Sequence, residues 1–207
     1  MLSCDQLRTQ PIDLRAGDIT LSKSGAKNAP VGLGADLKTL RLVLSKAPVL
    51  TTPFVPKAFD GGDRVSLDIR AGPIEAAIDR LDAAILACVI ANKTKYWKKP
   101  PSDEELKQLY VPLKKEPSDP KYSATVRTKM TLGDRPSAKF WTPERTPLDH
   151  NTISWRDSEF AVQCRLKSIW FQSNKSFGGC LEVEHVLVRG ADTSCPFEVD
   201  DSGPPGF

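Results

Sequence analysis

The chain has 207 residues and a mass of 22.7 kDa, of which 40% are hydrophobic and 27% charged. That balance belongs to a globular protein and excludes wholesale disorder, collagen, coiled coil and a disulfide-rich miniprotein. Charged and polar residues cut every apolar run well short of the ~20 residues a membrane helix needs, and residues 1–6 lack the basic and apolar regions of a secretory signal. The net charge of +3 hides an asymmetry: residues 1–92 carry +1, residues 93–145 carry +6, residues 146–190 carry 0 and residues 191–207 carry −4. A field of this shape bears on partners rather than on fold.

Taken in chain order, the first 36 residues are rich in Gly, Asp, Ser and Pro. Residues 11–14 and 18–21 suit short strands, and Lys23 to Ala35, with three glycines, reads as a loop. Leu40, Leu42 and Leu44 alternate with more polar neighbours, as do Val65, Leu67 and Ile69, and each set predicts a strand. Between them, Pro48, Pro53 and Pro56 punctuate an extended segment. Over residues 73–91 the period changes. Ile74, Ile78, Leu81, Ile85 and Val89 form one helical stripe, with Glu75, Asp79 and Asp82 expected on an acidic outer face. Ser102 and Glu105 form a capping box for a second helix over 102–110.

The second half returns to the two-residue period. Val126, Thr128 and Met130 oppose Arg127 and Lys129. Phe160, Val162, Cys164, Leu166 and Trp170 are expected on one face of the longest strand, with Gln163, Arg165 and Lys167 on the other. Leu181, Val183, His185 and Leu187 are expected to point inward on a last strand. Residues 133–150 read as a long loop. The pattern predicts a mainly β fold with one or two helices: an OB-like antiparallel barrel, with a β-sandwich as the alternative. The division is an N-terminal arm or edge strands (1–36), a barrel domain with inserted helices (37–190) and an acidic C-terminal tail (191–207).

Enzyme motifs are missing. The sequence has no phosphate-cradling G-x-x-x-x-G-K-[ST] or G-x-G-x-x-G, no H-E-x-x-H and no G-x-S-x-G. Its two histidines and five widely spaced cysteines fit no zinc site, so no catalytic residue, metal or cofactor is assigned. Cys88, in the helical pattern, and Cys164, in a strand pattern, read as buried thiols, and the cysteines as a set imply a reducing intracellular compartment without disulfides, cytoplasm or nucleus.

Basic residues interleaved with aromatics carry a clearer signal. Lys95-Tyr96-Trp97-Lys98-Lys99 and Lys139-Phe140-Trp141 read as loops, and Arg127-x-Lys129 and Arg165-x-Lys167 lie on polar strand faces. If the two strands share a sheet, their four cations make a stripe that can track phosphates, while bases stack on Tyr96, Trp97, Phe140 and Trp141. Anchoring in the fold competes with stacking for Trp97 and Trp141, and Trp170 is expected in the core. The tail, with Asp200, Asp201 and a terminal Phe207, is acidic and free of cations. A basic, aromatic-studded β-domain followed by such an end resembles the single-stranded DNA-binding proteins of bacteria, T7-like phages and some large DNA viruses. That resemblance implies an OB-fold, and it implies that Asp200, Asp201 and Phe207 dock on replication partners. The expected function is sequence-tolerant, non-enzymatic binding of single-stranded DNA in replication or repair, by residues that serve RNA equally. The alternative is a self-assembling coat or scaffold subunit, a homo-oligomer; neither reading involves a membrane.

Overall fold

The computed structural model describes residues 1–22, 25–47, 49–58, 62–132 and 136–190. Twelve strands run through them: β1 (Leu2–Ser3), β2 (Leu14–Ala16), β3 (Thr20–Leu21), β4 (Lys27–Leu33), β5 (Arg41–Val43), β6 (Lys57–Ala58), β7 (Arg64–Arg70), β8 (Lys114–Lys115), β9 (Thr125–Thr131), β10 (Lys139–Trp141), β11 (Glu159–Phe171) and β12 (Phe177–Arg189). The helices are α1 (Cys4–Thr9), α2 (Glu75–Ala91), α3 (Lys93–Tyr96) and α4 (Asp103–Leu109).

The β11–β12 hairpin is the spine. The sheet path is β1-β5-β11-β12-β9-β7-β6, with β4 on the free end of β11 and β10 beside β12. The fold is mainly β, as expected, but the sheet is mixed and open rather than antiparallel. β10 and β9 run parallel to β12, and β1 runs parallel to β5. Residues 49–51 reach across the opening. Leu50 exchanges both backbone hydrogen bonds with Phe160, and Thr51 accepts one from Arg70 at 2.9 Å.

Local chemistry accounts for the helices. Ser102 accepts from the Glu105 amide and Glu105 reaches back to Ser102, which is the capping box read from the sequence. A second box, Ser3 with Gln6, starts α1 and had no counterpart in the sequence reading. α2 lays Ile78, Leu81, Ile85 and Val89 on the inner face of the sheet, all fully buried, each such side chain contributing about 1.5–3 kcal/mol. Glu75 and Asp79 do face outward and pair with Lys114 at 2.8 and 3.1 Å. Asp82 does not: it is buried, accepting from the Tyr110 hydroxyl and from the Leu113 amide at 2.9 Å. It ties α2 to the chain that enters β8.

Residues 1–36 contribute Leu7, Leu14, Ala16, Ala29 and Val31 to the same core. The expected loop over 23–35 contains a seven-residue strand, β4, paired with β11 on one edge and with β2 and β3 on the other. Its glycines hid it, yet Gly32 is required there: a Cβ would lie 2.3 Å from the backbone of Leu37.

Two β-bulges decide which side chains face out. Along β11 and β12 the register shifts between Gln163 and Cys164, opposite the unpaired Glu184, and between Leu166 and Ser168, where Lys167 is unpaired. Each extra residue inverts the alternation beyond it. The buried face therefore runs Phe160, Val162, Cys164, Leu166 and then Ile169 and Phe171 on β11. On β12 it runs Phe177, Leu181, Val183 and then Val186 and Val188. Trp170, expected inward, lies on the outer face opposite Gly178, and His185, also expected inward, lies on the outer face opposite Gln163.

Candidate nucleic-acid interface

The outer face of the hairpin collects the cations. Arg165 and Lys167 come from β11, Arg41 from β5, and Arg127 and Lys129 from β9. Glu182 on β12 pairs in register with Arg165 on one side and with Lys129 on the other. The two R-x-K pairs thus lie on one face of one sheet, one strand apart.

Three carboxylates sit among these cations. Glu182 accepts from Arg165 Nε at 2.8 Å and from Lys167 Nζ at 2.6 Å. Glu184 accepts from Arg41 Nε at 2.8 Å and from Gln163 Nε2 at 3.3 Å. Asp68 on β7 lies 3.5 Å from Arg127. Lys129 and Lys139 form no ion pair among the described residues. Partial burial, with the charges of Arg64, Arg127 and Lys167 nearby, pushes the Lys129 ammonium below the usual lysine range despite an opposing effect from Cys180. A group in that state gains from an arriving anion.

Within the strip opens a depression of about 400 Å³ lined by Arg41, Lys139, Arg165, Glu182, Glu184 and His185, among others. β10 forms its rim. Residues 139–141 are a strand, not the expected loop, with Lys139 opposite His185 and Trp141 opposite Leu187. Lys139 and Trp141 therefore face outward and Phe140 inward. The Trp141 and His185 rings stack at 6.1 Å and 30°, and the indole N–H donates to His185 Nδ1 at 3.2 Å. At the far end of the hairpin Trp170 lies across Gly178, its indole N–H bonded to the Gly179 carbonyl at 3.1 Å. The two half-buried tryptophans bracket the strip, roughly 25–30 Å apart by strand rise.

Other expected aromatics are elsewhere. Phe140 is buried against Trp155 and His150, with ring centroids 6.0 and 5.8 Å away. Lys95 and Tyr96 belong to α3 rather than a loop. Tyr96 packs 5.0 Å from Phe171, and Trp97 lies 5.6 Å from Phe171 and 6.1 Å from Phe177. Those phenylalanines belong to the inner face, so both rings are committed to the core on the side away from Arg165. Burial pushes the Tyr96 hydroxyl well above its usual range. Lys95 pairs with Asp18 at 2.9 Å, and Lys98 and Lys99 are exposed. Asp200, Asp201 and Phe207 lie outside the described residues. Arg41, which the sequence did not single out, joins the face because β5 pairs with β11, and His185 joins it because of the bulge at Glu184, whereas Gln163 lies on the face where alternation put it.

Among the described residues no group of three or more His, Cys, Asp and Glu side chains is placed to hold a metal. No described helix is long and apolar enough to cross a membrane. Cys4, Cys88, Cys164 and Cys180 are free and buried. Burial raises the Cys4 and Cys88 thiols to about 11.

Comparison with known proteins gives structural neighbours only. The chain is similar to a single-stranded DNA-binding protein from bacteriophage Enc34 in complex with ssDNA: TM-score 0.39 and 17% identity over 86% of this chain and 96% of the other. It is also similar to gp2.5, a single-stranded DNA-binding protein encoded by bacteriophage T7: TM-score 0.45 and 12% identity over 82% of this chain and 98% of the other. No family model and no curated protein matches the sequence.

Proposed function

We propose that this protein binds single-stranded DNA in replication, without catalysis, along the outer face of the β11–β12 hairpin on an OB-like barrel closed by residues 49–58. One observation carries the reading. The R-x-K pairs of β9 and β11 fall on a common face, aligned through Lys129, Glu182 and Arg165, with the half-buried Trp141 and Trp170 on that same face. Cations that track a backbone, with aromatic surfaces that accept any base, make a sequence-tolerant strand-binding surface. The contact set is Arg41, Arg127, Lys129, Lys139, Arg165 and Lys167 for phosphates, with Trp141 and Trp170 for bases. Tyr96, Trp97 and Phe140 are excluded from it because their rings serve the core. The same reading assigns Asp200, Asp201 and Phe207 to contacts with replication proteins.

The test is quenching of tryptophan fluorescence by an oligothymidylate at low and moderate salt. Saturable quenching that salt reverses is expected, and it should be lost in Trp141→Phe Trp170→Phe. Binding that leaves both tryptophans unperturbed would refute the placement. A second reading, self-assembly, is favoured by Val49, Phe54 and Val55, each about half exposed in a proline-rich segment. It predicts large particles on sizing and no salt-dependent affinity for DNA.

A further inference from the structure

We propose that Glu182 and Glu184 are built-in counter-ions that an arriving phosphodiester must outcompete, so that strand binding takes up protons at these carboxylates. The inference rests on the strand-binding reading above. Its basis is geometric. The side chains of Glu182 and Glu184 are only 13% and 17% exposed, whereas their partners Arg165, Lys167 and Arg41 are 38%, 47% and 47% exposed. The carboxylates are the floor of the strip and the cations its surface. A strand coming from solvent meets donors that are already engaged from below.

Each element packed against these carboxylates contributes charge or polarity. β11 supplies Arg165, Lys167 and Gln163, β5 supplies Arg41, and β9 supplies Lys129 in register with Glu182. The β10 side supplies Lys139 and Ser137, and His185 adjoins Glu184 on β12. Burial by itself raises both carboxyls. Hydrogen bonds from Lys167 and Arg165 to Glu182, and from Arg41 and Gln163 to Glu184, outweigh burial and hold both below the usual range. A phosphate that shares or takes these donors removes that compensation and adds a negative neighbour. Both changes favour the protonated carboxyl. The bound state therefore binds protons more tightly than the free state, and affinity rises as pH falls. Replacing a carboxylate by an amide removes the competitor while keeping an acceptor for Arg165 or Arg41.

The experiment titrates wild type, Glu182→Gln, Glu184→Gln, the double variant and His185→Gln with an oligothymidylate at fixed salt between pH 5 and pH 8. Thymine does not titrate in that window, and thermal unfolding of each variant checks its fold. The double variant should bind more tightly at pH 8, by about tenfold for each carboxylate whose pKa binding raises by one unit, and its affinity should vary less with pH. Calorimetry of the wild type at pH 5, the acid end of that range, in two buffers of different ionisation enthalpy should show proton uptake that the double variant loses. His185→Gln should keep most of it. Equal affinity and equal pH slopes in wild type and double variant would overturn the inference and leave strand binding intact. If neither protein binds at any pH, strand binding itself fails, and this inference with it. If only the double variant binds, no strand displaces these carboxylates in the wild type, and the inference fails together with the strand-binding reading.

Discussion

Trp141 donates its indole N–H to Nδ1 of His185 at 3.2 Å, from one strand of a parallel pair to the other. An Nδ1 that accepts leaves the neutral imidazole proton on Nε2, so the bond fixes both the tautomer and the stacked ring pair. The indole is thereby held on the outer face before any ligand arrives. Trp141→Ala should weaken oligothymidylate binding by about 1–3 kcal/mol. Trp141→Phe, which keeps a ring but loses the donor, should fall between the two. Titrations at one salt concentration check the order.

Trp97 should behave in the opposite way. Its ring fills space against Phe171 and Phe177 while remaining only partly buried. Trp97→Ala should cost about 2–4 kcal/mol of stability, somewhat less than a fully buried tryptophan, and leave strand affinity per folded molecule unchanged. Urea unfolding together with a binding titration separates the two effects. Phe140→Ala, at a buried position, should be at least as destabilising.

Asp82 gives a prediction for pH. Burial raises its carboxyl above the usual range although the Leu113 amide, the Tyr110 hydroxyl and the Lys114 amide oppose the shift. A raised folded-state pKa means that its stabilising contribution is complete below the ordinary aspartate range. That contribution is lost as pH rises through the raised value. Asp82→Asn keeps an acceptor for Leu113 and Tyr110 but cannot ionise, so the acid-side gain in stability should flatten in this variant. Asp82→Ala should cost about 1–3 kcal/mol at every pH because it strands the Leu113 amide. Thermal unfolding across the pH range distinguishes them.

Gly178 is a position of close approach. An added Cβ would lie 2.6 Å from the Val111 carbonyl oxygen and 2.7 Å from the Trp170 ring. Gly178→Ala should therefore destabilise by about 1–3 kcal/mol and lift Trp170 into solvent, seen as a red shift of its emission. If the spectrum is unchanged, Trp170 does not lie across Gly178.

Periodicity was a sound guide where a strand or helix runs without interruption. The buried sets Val65–Leu67–Ile69 and Val126–Thr128–Met130 and the stripe of α2 are where alternation and helical spacing place them. It failed on the hairpin for a definite reason. A bulge adds a residue without any mark in composition, so the alternation read from Phe160 puts Trp170 on the wrong side, and that read from Leu181 does the same for His185. β10 escaped because three residues on a parallel edge are too short to show a period. Lysines flanking an aromatic signalled exposure equally at Trp97 and Trp141. Only the neighbours brought by the fold, Phe171 for one and His185 for the other, separate them.

The paired bulges act on the two strands as a shift of reading frame does on a message. Lys167 is the inserted residue on β11 and Glu184 the inserted residue on β12, and each strand has 13 residues. Deleting Lys167 alone would remove more than one charge: it would turn Trp170 inward, expel Ile169 and Phe171, and leave the partner strand one residue too long. Insertions and deletions in this hairpin are therefore tolerated, if at all, only as compensating pairs, a constraint that no single substitution at either position would reveal.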